Sequence, residues 1–265
     1  MAKAARAEGL TREIVAIGRR RESVEPALRE GVVDHVTTDV AEGLAGSDFC
    51  VLATPVATLA ALLGEVWGAV PADAVVTDVG STKAAIVATA DALYGGRPIA
   101  FIGAHPMAGS NLSGYQVSRA DLFKGALVIL TPSGTSAPTA LRRVGEFWQA
   151  LGARVTMLDP ATHDRAVAAV SHLPHLVADA LVDAVVRMDS RFLDVAAAGF
   201  RDTTRIAASN AKVWREIFRE NRQALGEALA AFRGALDDLE RLIDGGDDGA
   251  IERELDRIRL ERERL

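Results

Sequence analysis

Five stretches carry side chains whose types and spacing could do chemistry. In "GAHPMAGS" (103–110) an imidazole, His105, follows the apolar run Ile99-Ala100-Phe101-Ile102. A strand that runs out into a Gly-containing turn leaves its last side chains at the carboxyl edge of the sheet, where open α/β sheets bind ligands. An imidazole there can take or give a proton. The alternative is a plain turn with an incidental histidine. "VTDVGSTKAA" (76–85) reads as strand, turn and helix start. It sets the Ser81 hydroxyl and free backbone N–H groups at the edge that carries His105. Ser81 also fits as a simple helix cap, and the two roles are compatible.

"SHLPHLVADAL" (171–181) places His172 and His175 three apart on one helical face, beside Pro174. A polar pair lining a cleft is the favoured reading. A metal site joining them to His163 or His105 would want carboxylates or cysteines at ligand spacing, and none is there, so no metal is expected. "GFRDTTRIAAS" (199–209) offers Arg201, Asp202 and Arg205, and Arg205 could present its planar fork to a carboxylate. An exposed Arg–Asp pair is the plainer alternative. "IGRRRES" (17–23) puts Gly18, Arg19 and Arg20 at a strand end. In a dinucleotide-binding sheet that position usually offers a carboxylate to the adenosine ribose. A guanidinium suits a 2′-phosphate instead, unless the run is only a solvated turn.

These residues need a scaffold. The first 158 positions alternate apolar strand candidates (13–18, 33–37, 49–53, 75–79, 99–103, 126–130, 154–158) with amphipathic helices such as 56–70, 82–94 and 137–151. Continuous apolar runs between helices indicate a mostly parallel, doubly wound sheet covered on both faces. At Asp159-Pro160, a good N-cap and first-turn pair, the pattern changes. From there to Leu265 only helices are expected: 160–188 interrupted at Pro174, 203–208, 211–242 and 249–265. Two domains follow, an α/β half (1–158) and an all-α half (159–265). The last helix mixes both charge signs with an apolar stripe, which suits an edge or a dimer seam better than nucleic acid.

The 265 residues suffice for two such cores. A formal charge of −6 gives no global attraction to nucleic acid or an anionic membrane, so an anionic substrate needs a local arginine site. One cysteine, Cys50, excludes a disulfide framework and fits a reducing compartment. The N-terminal "MAKAARAEGL" lacks the apolar core of a signal peptide, and no uninterrupted apolar run is long enough for a bilayer. A cytoplasmic protein is expected, with neither nucleic acid nor membrane as partner.

Taken in order, "DVGSTK", "GAHPMAGS", "DLFKGALVILTP", "SHLPHLVADAL", "GFRDTTRIAAS" and "WREIFRENR" resemble the prephenate/arogenate dehydrogenase family of tyrosine biosynthesis, over about residues 13–240. The resemblance implies a Rossmann-like nucleotide-binding domain followed by a helical dimerisation domain, hence a homodimer. It implies oxidative decarboxylation of prephenate or arogenate, with hydride passing to NAD or NADP. His105 then stands beside the substrate hydroxyl and Ser81 aligns it. Arg205 matches the carboxylate-binding arginine, and His175 lines the same cleft. Asp202 and Trp214 shape it, and Ser110 and Asn111 lie at its entrance. The cofactor set becomes Gly18, Arg19, Arg20, Thr54, Pro55 and Ser81.

Two departures stand out. Asn111 replaces an acidic residue common in the family, which bears on prephenate against arogenate. The chain also begins partway along the helix that normally follows a first strand and a GxGxxG loop, so about 20 residues of that βαβ unit are expected to be lacking. A catalytically impaired member of the family is therefore one alternative. A 3-hydroxyacid-type dehydrogenase is another, but it would need a catalytic lysine on the interdomain helix, and 160–188 has none. A histidine-based metallohydrolase would need a metal.

Overall fold

A computed structural model describes residues 1–96, 100–109 and 114–264. The α/β half opens with α1 (Ala2–Ala7), β1 (Val15–Ile17), α2 (Arg21–Arg29), β2 (His35–Thr37) and α3 (Val40–Leu44). It continues through β3 (Phe49–Leu52), α4 (Val56–Ala69), β4 (Val75–Asp78), α5 (Ala84–Leu93), β5 (Ala100–Met107), β6 (Leu127–Thr131), α6 (Pro138–Ala150) and β7 (Arg154–Met157). The strands form two sheets. β1 and β2 pair in parallel, and β3-β4-β5-β6-β7 form a five-stranded sheet in that order, parallel except between β5 and β6. Leu59, Leu63, Val66 and Trp67 of α4 with Ile86 and Val87 of α5 bury one face of the larger sheet. Val144 and Trp148 of α6 bury the other. The small sheet has its own cluster, Ala27, Val33 and Val36. Between the edges of β1 and β3 lies an open cleft of about 1870 Å³.

β5 differs from the expected 99–103. It runs on to Met107, so His105 sits inside a strand, opposite Ile129 of β6, and not in a loop beyond one. The reason is which side of β5 is occupied. β4 pairs only with Ala100–Ile102, and from Gly103 onward β5 has a strand on the β6 side alone. The Ala104 N–H points to the open side and donates to Asp78 Oδ1 at 3.2 Å. Two residues on, the absent N–H of Pro106 faces the same open side, where no ladder bond is lost.

The remaining chain is helical: α7 (Pro160–Val167), α8 (Leu173–Asp189), α9 (Ala198–Thr204), α10 (Ala211–Glu220), α11 (Arg222–Gly245) and α12 (Asp248–Arg262). Asp159 caps α7, accepting from the Thr162 N–H at 2.9 Å. A π turn, Ala168–His172, joins α7 to α8 and widens the helix just before Pro174, whose ring would otherwise meet the carbonyl of Val170. The expected single helix 211–242 is two helices, because the chain turns at Asn221, whose side chain is needed elsewhere. Gly246, at φ 65°, ends α11 in the left-handed conformation that glycine adopts freely. The stretch Pro160–Val195 is long and apolar enough to cross a membrane by length and composition. Its π turn and its buried His163, Asp164, His172 and His175 are features of a helix packed against protein.

Candidate active site

Two clefts adjoin, with Met1 in the wall of both. The larger, between β1 and β3, is lined by Gly18, Arg19, Arg20, Thr54 and Pro55, five of the six expected cofactor residues. Arg19 and Arg20 are exposed, and among the described residues neither side chain has an ion pair. The smaller cleft, about 310 Å³, holds Ser81 and His105 together with Pro106, Leu122 and Phe123.

Ser81 does not cap α5. That helix starts at Ala84, and its first N–H groups are taken by a carboxylate from the helical half: Asp164 accepts from Lys83 N at 2.7 Å and Ala84 N at 3.0 Å. Lys83 itself is fully buried and ion-paired to Asp78. Asp78 also accepts from Gly80 N at 2.8 Å, so it fixes the turn that carries Ser81.

His105 is 9% exposed. Its Nδ1 lies 2.9 Å from Nε2 of His163, and Nδ1 of His163 lies 2.8 Å from Asp164 Oδ1. Burial pushes the His105 pKa well below that of free imidazole, and His163, Lys83 and His172 push the same way. Burial opposes ionisation of Asp164, but the bonds from His163 and from the N–H groups of Ala84 and Lys83 outweigh it and hold its pKa low. Asn221 Nδ2 donates to the Asp164 carbonyl at 2.7 Å and sits 3.1 Å from His172 Nδ1. Burial lowers His172 to about 4, against the pull of Asp164.

The expected pair on α8 therefore divides. His172 is bound into this polar cluster. His175 stacks on the Trp214 ring at 3.6 Å between centroids and 14° between planes. The Nδ1 of His175 is buried without a hydrogen-bond partner among the described residues, and its Nε2 is 3.7 Å from Asp179. Asp202 and Arg205 are both exposed and do not pair; among the described residues the Arg205 side chain makes no hydrogen bond or ion pair. Ser110 and Asn111 fall outside the described residues. Among the described residues no group of three or more His, Cys, Asp or Glu side chains could hold a metal ion. The residues that the motif reading passed over are Lys83, Asp164 and Asn221, with His163 weighed only as a metal ligand. The adjacent His and Asp of "DPATHD" were the available signal.

Residues 1–157 match the family model for the prephenate dehydrogenase nucleotide-binding domain, and residues 159–257 match that for the prephenate dehydrogenase dimerization domain. The chain belongs to the prephenate dehydrogenase family. It is 33% identical over 245 residues to prephenate dehydrogenase of Lactococcus lactis, covering 91% of this chain and 67% of that one. With the Bacillus subtilis prephenate dehydrogenase it shares 31% identity, covering 89% of this chain and 64% of the relative. The chain thus spans about two thirds of the length of these relatives. Among solved structures it superposes on prephenate dehydrogenase from Aquifex aeolicus in complex with hydroxyphenyl propionate and NAD+, with a TM-score of 0.92 and 34% identity over 99% of this chain and 92% of that one. It also superposes on Synechocystis arogenate dehydrogenase, with a TM-score of 0.87 and 30% identity over 99% and 94%. Membership makes the α/β half a nucleotide-binding domain for NAD or NADP, and the family is one of dehydrogenases.

Proposed function

We propose that this chain oxidatively decarboxylates prephenate or arogenate in the formation of the tyrosine ring. The observation that carries the reading is a buried imidazole kept neutral, His105, beside the Ser81 hydroxyl in a cleft that adjoins the nucleotide cleft. The nucleotide cleft fits a phosphorylated dinucleotide, since Arg19 and Arg20 present guanidinium groups without ion pairs among the described residues. NAD or NADP held there supplies the hydride acceptor.

His105 accepts the ring hydroxyl's proton as hydride leaves the same carbon. The bond to the ring carboxylate breaks, CO₂ departs with the bonding electrons left in the ring, and the ring aromatises. His105 then returns its proton to the phenolic oxygen, so no net proton is required. Ser81 aligns the hydroxyl with the imidazole. Arg205, whose side chain makes no ion pair among the described residues, takes a substrate carboxylate, and His175 stacked on Trp214 lines the same cleft. Asp202 and the entrance pair Ser110 and Asn111 belong to the same reading.

The same proposal divides the chain at 158/159 and joins two copies through the helical half, whose Val186, Met188, Phe192, Val195, Ile243 and Leu255 are exposed apolar side chains. A buried free thiol at Cys50 accords with the cytoplasm. The test is to supply the purified chain with prephenate and, separately, arogenate, each with NAD+ and NADP+. CO₂ and reduced nicotinamide are expected in equal amounts with at least one pairing. Absence of both products with all four pairings would overturn the proposal.

A further inference from the structure

Behind His105 the hydrogen bonds leave little freedom in where protons sit. Asp164 is a carboxylate that already accepts two backbone N–H groups, and it can only accept from His163 as well. Nδ1 of His163, 2.8 Å from that carboxylate, must therefore carry the hydrogen. A neutral ring protonated at Nδ1 has a bare Nε2, which can only accept. The atom facing it at 2.9 Å is His105 Nδ1, so the hydrogen of His105 is on Nδ1. That leaves His105 Nε2 bare. His172 is kept out of the chain by Asn221, whose amide group occupies the His172 Nδ1.

We propose that Asp164 and His163 are positioning residues that lock His105 in the tautomer with a bare Nε2, the only neutral form that can take a proton from substrate at that atom. The inference rests on reading His105 as the base. A hydrogen bond to the far nitrogen commonly fixes which imidazole nitrogen is reactive. Here the fixing carboxylate comes from the helical half, on α7, while the base it governs is on β5. The same carboxylate holds the first N–H groups of α5. Docking of the two halves and correct protonation of the base are thus one contact.

The test reads the tautomer directly. Wild-type chain with 15N-labelled histidine is examined by long-range proton–nitrogen correlation, with His105 assigned by its absence in His105→Asn. Hydrogen on Nδ1 and a bare Nε2 are expected for His105, and hydrogen on Nδ1 for His163. In Asp164→Asn an NH2 turned to His163 gives up the Lys83 N–H bond and an oxygen turned there gives up the Ala84 N–H bond, so neither orientation is dictated and the lock on the two rings is lost. The expected kinetic result is a kcat loss of about 10- to 100-fold at nearly unchanged KM, with part of the His105 population now carrying hydrogen at Nε2. Should Asp164→Asn fail to fold for want of the α5 contacts, His163→Phe keeps them and must show the same kcat loss with a mixed His105 tautomer. Wild-type His105 protonated at Nε2, or a kcat loss with the His105 spectrum unchanged, overturns the proposal. The spectrum needs no substrate, so a chain inactive on prephenate and arogenate would refute the functional reading and still decide this one.

Discussion

His105 is a base by virtue of its surroundings. Burial and the neighbouring His163, Lys83 and His172 all disfavour imidazolium, so its midpoint lies below the ordinary 6.5. A base works only when unprotonated, so activity is kept as pH falls through 6.5 and is lost only once pH passes below the lowered midpoint. In a pH series, kcat/KM is expected to stay level from neutrality through pH 6.5, with its acid limb lower. His105→Asn should lower kcat by about 10²–10⁴-fold and remove that limb, with KM little changed. A near-normal kcat would show that the proton goes elsewhere. At the cofactor end, Arg20 is exposed, on the rim of the large cleft. Exchanging its charge by Arg20→Asp should reduce the NADP/NAD ratio of kcat/KM by at least about tenfold, the worth of one charged hydrogen bond. An unchanged ratio would place the 2′-phosphate, if any, on another residue.

At the scale of elements, the turn after β4 shows how tightly the site is supported. A Cβ on Gly80 would lie 2.6 Å from Leu59 Cδ1 and 3.0 Å from Asp78 Oδ2. Gly80→Ala therefore pushes both the core and the carboxylate that holds Lys83 and the Ala104 N–H. A loss of about 1–3 kcal/mol is expected, measured by denaturant titration, as for other overpacked sites. Unaltered stability would mean that the turn gives way freely. The apolar centres of the strands were legible because strands buried on both faces leave continuous apolar runs, as in Phe49–Leu52 and Leu127–Thr131. The far end of β5 was not, since Gly103 and Pro106 normally break strands; Pro106 is harmless only because its missing N–H faces the open flank beside Asp78, and Gly103 is needed where a Cβ would meet the Thr131 hydroxyl. Ser81 could be picked out by its motif. Lys83 and Asn221 could not, and Asp164 only through its adjacency to His163, because these polar residues become a cluster only when α7 packs on α5 and Asn221 on α7. The break at Asn221 has the same origin: local helix signals continue through it, and tertiary bonds to Asp164 and His172 override them.

At the scale of the whole molecule, the two sheets have different claims to permanence. The five-stranded sheet is sandwiched between α4 and α5 on one face and α6 on the other, with Val76, Ile102 and Val128 wholly inaccessible. The β1–β2 ribbon rests on three buried side chains, and it touches the larger core through Ile17, beside Val40 of α3. Such a piece can open alone, far below the cost of unfolding everything. In deuterated buffer its ladder amides, such as Gly18, which donates to the Thr37 carbonyl, and His35, which donates to that of Ile14, are expected to exchange orders of magnitude sooner than those of Val76 and Ile102. Equal protection would mean that the protein breathes only as a whole. A dinucleotide lying across the cleft would touch Gly18 and Arg20 on one bank and Thr54 on the other. Its binding energy would then be drawn partly into holding the ribbon shut, and saturating NADP should slow exchange in the ribbon while leaving the large sheet's clock unmoved. The cleft between β1 and β3 thus makes the nucleotide a tether as well as a reagent, and local opening a measure of how much of it is bound.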